Sequence, residues 1–140
     1  MKYLDTNVLG YALERHEKYG SACKRILQDI QDLKLEVCCS ILVLSELLGV
    51  LAKINKALVK MDKPALNVRA NIEAVLSLPI TWVELTPFVI THAAGYSYSV
   101  PGADLIHFAS MELENVHEII SADSDFDRFS GIRRIDPLEY

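Results

Sequence analysis

Four acidic residues, Asp5, Glu46, Asp104 and Asp123, are far apart in this chain of 140 residues, yet each falls where a carboxylate can do chemistry. Asp5 follows a short apolar segment that reads as a first strand, and Asp123 follows the segment 118–121, which reads as a fourth. Asp104 opens a helical stretch after Pro101 and Gly102. Glu46 lies within the first two turns of a helix expected after residue 40. In right-handed βαβ units, strand C-termini and helix N-termini share one edge of the sheet. Open parallel sheets bind ligands in the crevice outside those strand ends. The four acids can therefore converge on one small region. Packed carboxylates repel, and some stay protonated unless a counter-charge is present. An all-oxygen set selects hard divalent cations, Mg²⁺ or Mn²⁺. Such an ion lowers the pKa of a bound water and clamps a phosphodiester oxygen, which is the chemistry of metal-dependent nucleases.

Each acid also has a plainer reading. Asp5 or Thr6 can cap the first helix, and Asp104 can cap a later one. Asp123 and Asp125 can form turns, and for Asp125 a turn fits better than direct metal ligation. Glu46 is harder to explain away, because Leu42, Val43, Leu47 and Val50 surround it on the helical wheel. A carboxylate among apolar side chains needs an ion or a basic partner.

The elements that must position these residues alternate between short extended and longer helical segments, as in an α/β domain with a parallel sheet. Strands are expected at 2–4, 35–39, 81–85 and 118–121, with a short fifth at 132–135. Helices are expected after Asp5-Thr6-Asn7 to about Arg15, over 21–33, from Ser40 to about Asn55, from Pro64 to Leu78, from Pro87, and over 103–115. No internal repeat or linker interrupts the chain, so residues 1–140 read as one domain.

Hydrophobic residues make up 51% and charged residues 24%, which excludes a disordered tail or a low-complexity linker. Lys and Arg total 14 against 19 Asp and Glu, for a net charge of −5. Any nucleic-acid contact must then come from a local patch rather than an overall basic field. Cys23, Cys38 and Cys39 form no metal or redox pair and read as small buried hydrophobes, consistent with a reducing, cytoplasmic setting. No signal peptide fits the start, and residues 41–54 are too short and too polar to span a membrane.

Taken in order, the motifs resemble those of the PIN-domain ribonucleases. The resemblance is carried by Leu4-Asp5-Thr6-Asn7, by the helix 41–47 that contains Glu46, by Ala103-Asp104-Leu105-Ile106-His107, and by Ser121-Ala122-Asp123-Ser124-Asp125. It covers essentially the whole chain. Size and the absence of appended domains are most similar to the VapC-type toxins of bacterial and archaeal toxin–antitoxin pairs. The resemblance implies a three-layer α/β/α sandwich around a short, mainly parallel sheet of four to five strands. It implies a Mg²⁺- or Mn²⁺-dependent endoribonuclease, with Asp5, Glu46, Asp104 and Asp123 as the acidic quartet. Asn7 and Ser121 match supporting polar positions, Ser121 standing where threonine is common, and Asp125 adds an outer ligand at the metal site. A small antitoxin and a homodimer are the implied partners.

For RNA, candidate phosphate contacts are Lys53 and Lys56 on the Glu46 helix, with Lys60, Lys63 and Arg69 beyond it. Arg128, Arg133 and Arg134 form a second group near Asp123. Tyr96 and Tyr98 can stack on a base or pack in the core. His107, one turn after Asp104, reads as a buried packing or hydrogen-bonding residue, and the other three histidines carry no metal-ligand spacing. Three rival readings remain at this level. One is a PIN-fold RNA-processing nuclease with no antitoxin, and another is an inactive RNA- or protein-binding module. The third is a phosphatase with Asp5 as nucleophile, which Asn7 argues against because haloacid-dehalogenase enzymes carry aspartate there.

Overall fold

The computed structural model describes residues 1–140. Five strands, β1 (Lys2–Leu4), β2 (Val37–Ser40), β3 (Thr81–Val83), β4 (Glu118–Ile120) and β5 (Arg133–Ile135), form one sheet in the order β3-β2-β1-β4-β5. Every neighbouring pair is parallel. The strand order reverses between β1 and β4, and a crevice opens at such a switch point beyond the strand ends. Asp5 and Asp123 leave the sheet on either side of it.

Six helices cover the sheet: α1 (Thr6–Glu14), α2 (Gly20–Gln31), α3 (Leu42–Lys60), α4 (Val68–Leu76), α5 (Pro87–Ala94) and α6 (Gly102–Leu113). Side chains alternate across a strand, and that alternation divides the core in two. Leu4, Val37, Cys39 and Ile120 face one way, packing with Val8, Ile26, Leu47 and Val75 of α1–α4. Tyr3, Cys38, Val83 and Ile119 face the other way, onto Phe108 and Met111 of α6 and onto Phe126 and Phe129. Helix α5 packs on α6 through Val89, Ala93 and Ala109. The result is the α/β/α sandwich, with a five-stranded sheet that is wholly parallel. Cys38 and Cys39, adjacent in sequence, point to opposite faces, and all three cysteines are free and buried. No helix is long and apolar enough to cross a membrane.

The two largest departures from the expected boundaries share one reason, while β2 (Val37–Ser40) and β3 (Thr81–Val83) differ from 35–39 and 81–85 by a residue or two. Helix α3 runs past Asn55 to Lys60, and residues 64–66 are not helical. The Asn55 amide donates to the Leu66 carbonyl (3.1 Å) and accepts the Leu66 N–H (2.7 Å). That two-way clamp holds the chain beside α3, and α4 starts only where Asn67 caps the N–H of Ala70 (3.0 Å). Asn55→Ala is expected to lower stability by about 1–2 kcal/mol, since two backbone groups lose their partner. Urea denaturation measures this, and an unchanged midpoint would refute the clamp.

Candidate active site

At the C-terminal edge of the sheet, a cavity of about 540 Å³ is lined by Asp5, Glu46, Asp104 and Asp123 together. Its remaining wall is a groove between α1 and α3. Asn7, Gly10, Tyr11 and Glu14 come from one helix, and Gly49, Val50 and Lys53 from the other. The spacing of Glu46, Gly49/Val50 and Lys53 is that of one helical face. Fully buried Leu47 and Leu51 fix the rotation of α3 that turns this face to the cavity.

Asp5, the N-cap of α1, is buried and fully engaged. Its Oδ1 accepts the Thr6 N–H (2.7 Å), and its Oδ2 accepts Asn7 Nδ2–H (2.8 Å) and the Ser121 hydroxyl (2.5 Å). Ser121 Oγ also accepts from Asn7 Nδ2 (3.1 Å) and from the Asp123 N–H (3.0 Å). Asn7 Oδ1 in turn accepts the Ala122 N–H (3.2 Å). Asn7 and Ser121 thus lace the end of β1 to the end of β4, and they set the separation of Asp5 from Asp123. Burial pushes the Asp5 carboxyl up, against the opposing influence of His107 and the hydrogen bonds from Ser121 and Thr6.

Asp104, in the first turn of α6, is buried, and its Oδ2 has no hydrogen-bond partner. Burial, with Asp123 and Asp5 close by, raises its carboxyl to about 7. One carboxylate oxygen each from Asp104, Asp123 and Asp125 lie within 4.8 Å of one another. Asp125 therefore does two things. It sits in the 3-10 turn Ser124–Arg128, where its N–H donates to Asp123 Oδ1 (2.9 Å), and it brings a third carboxylate to the group. The closest-packed acids are this trio, with Asp5 and Glu46 facing the same cavity from the α1 and α3 side.

Glu46 has no Lys or Arg partner. Its Oε1 lies 2.5 Å from His107 Nε2 and accepts the Thr6 hydroxyl (2.8 Å). Burial opposes its charge, but the hydrogen bonds from His107 and Thr6 prevail and hold its carboxyl below the usual range. Burial alone would lower the His107 imidazole. The hydrogen bond to Glu46 and the charges of Asp5, Glu46 and Asp104 leave it raised instead. Sequence reasoning assigned His107 a buried hydrogen-bonding role but did not identify Glu46 as its partner. The available signal was its position three residues after Asp104, on the same side of α6.

The basic residues divide. Lys53 lines the cavity, whereas Lys56 is exposed on α3 outside it. Arg128 donates to the Ser99 carbonyl (2.9 Å) and lies 3.6 Å from Asp125. Arg133 pairs with Glu118, and Arg134 with Asp127 and Asp136, so this group is spent on structure. Tyr96 and Tyr98 pack on Phe108, and Tyr98 on Phe129, so they serve the core.

The donor set suits a hard cation. It is all oxygen, it contains three clustered carboxylates, and one buried oxygen lacks any partner. Comparisons with known proteins bear on the fold and the family. VapBC2 from Rickettsia felis, solved with a promoter DNA fragment, is similar at a TM-score of 0.69 and 17% identity, over 96% of this chain and 98% of that one. VapC20 from Mycobacterium tuberculosis, described as a sarcin-ricin loop cleaving toxin, is similar at 0.70 and 16%, over 94% and 97%. A toxin–antitoxin complex from Klebsiella pneumoniae is similar at 0.64 and 16%, over 100% of both chains. No curated protein sequence matches significantly. At these identities the structural likeness speaks for the fold. Membership follows from the PIN domain sequence profile, which matches residues 2–132 and so spans β1 to β4, all four cavity acids and Asp125: the chain belongs to the PIN domain family.

Proposed function

We propose that this protein is a divalent-metal-dependent endoribonuclease that cleaves RNA phosphodiester bonds and is the toxin of a type II toxin–antitoxin pair. The observation that carries the reading is the single cavity, in a PIN domain, lined by Asp5, Glu46, Asp104 and Asp123. Asp104, Asp123 and Asp125, with Glu46 and Asp5 opposite, would hold Mg²⁺ or Mn²⁺. When bound, the cation supplies a nucleophile at neutral pH and charge stabilisation on the phosphate. The chain's own residues do the rest. Asn7 and Ser121 keep Asp5 oriented, the groove between α1 and α3 would receive the RNA strand, and Lys53 on its wall would offer a positive charge to a phosphate. Lys56, exposed on α3 beyond Lys53, would contact a flanking nucleotide, whereas Arg128 is engaged by the Ser99 carbonyl and Asp125.

A small antitoxin is the proposed partner, supported by likeness along the whole chain to proteins solved as toxin–antitoxin complexes. A basic arm of the antitoxin reaching these acids would compete with cation and RNA together. The chain acts as a homodimer in this reading, and exposed Phe88, Ile90 and Leu113 on α5 and α6 offer apolar surface for it. Light scattering reports the dimer directly.

The deciding experiment incubates the purified, antitoxin-free protein with a mixed pool of structured and single-stranded RNA. Mg²⁺, Mn²⁺ and EDTA arms run beside Asp5→Asn. Cutting that needs metal and disappears in the variant is expected. Metal binding with no cutting of any RNA would favour a binding module instead.

A further inference from the structure

Tyr3 is fully buried, although its phenol lies in a core that Phe could fill. Its hydroxyl accepts the backbone N–H of Ser40 (2.9 Å) and lies 2.8 Å from Nδ1 of His107. His107 is 1% exposed and does not line the cavity, so it has no path to RNA. Its other nitrogen, Nε2, meets Glu46 Oε1 at 2.5 Å. Thr6 Oγ1 donates to the same oxygen, while Glu46 Oε2 takes no hydrogen bond from the protein. A continuous line of polar contacts thus runs from the end of β2, through β1 and α6, to one oxygen of a cavity-lining acid on α3.

Buried polar groups are tolerated only when paired, and an apolar pair of similar shape would carry no such demand. A fully paired Tyr–His line in a core therefore points to a task. A carboxylate accepts only, so Nε2 must carry the hydrogen that faces Glu46, whether the ring is neutral or charged. In the neutral ring Nδ1 then accepts the Tyr3 hydroxyl hydrogen, and Tyr3 accepts from Ser40. The Glu46 carboxylate sets the direction of the line at one end, and the fixed N–H of Ser40 anchors it at the other.

We propose that Tyr3 and His107 are positioning residues for Glu46, holding its Oε1 so that Oε2 is presented to the divalent cation. The inference rests on the nuclease reading of the site. Neither residue touches RNA or the reacting atoms. Their effect is to remove the freedom of the Glu46 carboxylate to rotate and offer either oxygen. Outer partners that orient metal ligands commonly change metal affinity by about 10–100-fold.

The test titrates the purified protein with Mn²⁺ alone, reading free ion by electron paramagnetic resonance, with folding checked by circular dichroism. Four proteins are compared: wild type, Tyr3→Phe, His107→Leu and His107→Gln. His107→Leu is expected to weaken Mn²⁺ binding by about 10–100-fold and Tyr3→Phe by less, while His107→Gln, which keeps an N–H donor toward Glu46, recovers most of the loss. Wild-type affinity in Tyr3→Phe and His107→Leu overturns the relay and leaves the metal site standing. Equal losses in His107→Gln and His107→Leu assign His107 to packing alone and also overturn it. No Mn²⁺ binding by wild type overturns the metal reading and the relay with it. Should His107→Leu fail to fold, Tyr3→Phe decides, because it removes one oxygen and keeps the ring.

Discussion

Asp104→Asn is expected to reduce metal-dependent RNA cleavage by about 10³-fold, and at the same time to stabilise the metal-free protein at pH 8. The loss is of the size seen when one fixed electrostatic group is removed from a developing charge. The gain has a separate origin. In the fold, burial and the neighbouring Asp123 and Asp5 hold the Asp104 carboxyl at about 7, far above its value in the unfolded chain. A raised carboxyl binds its proton more tightly when folded. Its contribution is therefore intact below the unfolded pKa and is lost as pH rises through about 7. At pH 8 ionised Asp104 is a burden, and asparagine carries no charge to repel. Melting in EDTA should place Asp104→Asn above wild type at pH 8, with the gap closing near pH 4. A variant that cuts RNA at the wild-type rate, or melts below wild type at pH 8, contradicts the account.

Wild-type protein stripped of metal is expected to lose stability steadily from about pH 4 to above pH 7, and to recover it when Mn²⁺ is added. Asp5, Asp104 and His107 are all raised in the fold, so all three act in the same direction over this range. Glu46 and Glu118 are lowered and act oppositely: their stabilisation is present above the unfolded pKa and is lost only as pH falls through the folded one. That window opens as pH falls below 4.5, so it offsets the others only at the acid end of the range. A cation replaces the proton at Asp104, so its affinity should climb between pH 5 and pH 8 with proton release. At a concentration 100 times its Kd, Mn²⁺ adds about 2.7 kcal/mol. Thermal melts across pH, with EDTA or Mn²⁺, measure both effects. A metal-free melting temperature that rises from pH 5 to pH 8 would count against the clustered acids as described.

Much of the positioning was legible locally. Asp5 and Asp123 directly follow short apolar strands, so their place at the sheet edge followed from chain direction alone. Pro101 and Gly102 marked the start of α6 and put Asp104 in its first turn. The end of α3 was not legible, because Asn55 reads as a helix stop until its amide is seen clamping Leu66. Arg133 and Arg134 read as phosphate contacts until their carboxylate partners appear. Tyr96 and Tyr98 had two equal readings, and packing on Phe108 chose between them.

The alternation of strands and helices and the acids at their ends were thus readable from the chain, because both depend on neighbours a few residues away. Which carboxylates approach within 4.8 Å, and that Glu46 is partnered by a histidine rather than a lysine or arginine, followed from long-range packing alone. Those outcomes depend on contacts such as His107 with Glu46, 61 residues apart, and Tyr3 with His107, 104 apart. Such contacts carry no local pattern. They exist only after the sheet has set its strand order and the core has fixed the rotation of α3 and α6, because a hydrogen bond needs side-chain placement to within a few tenths of an ångström.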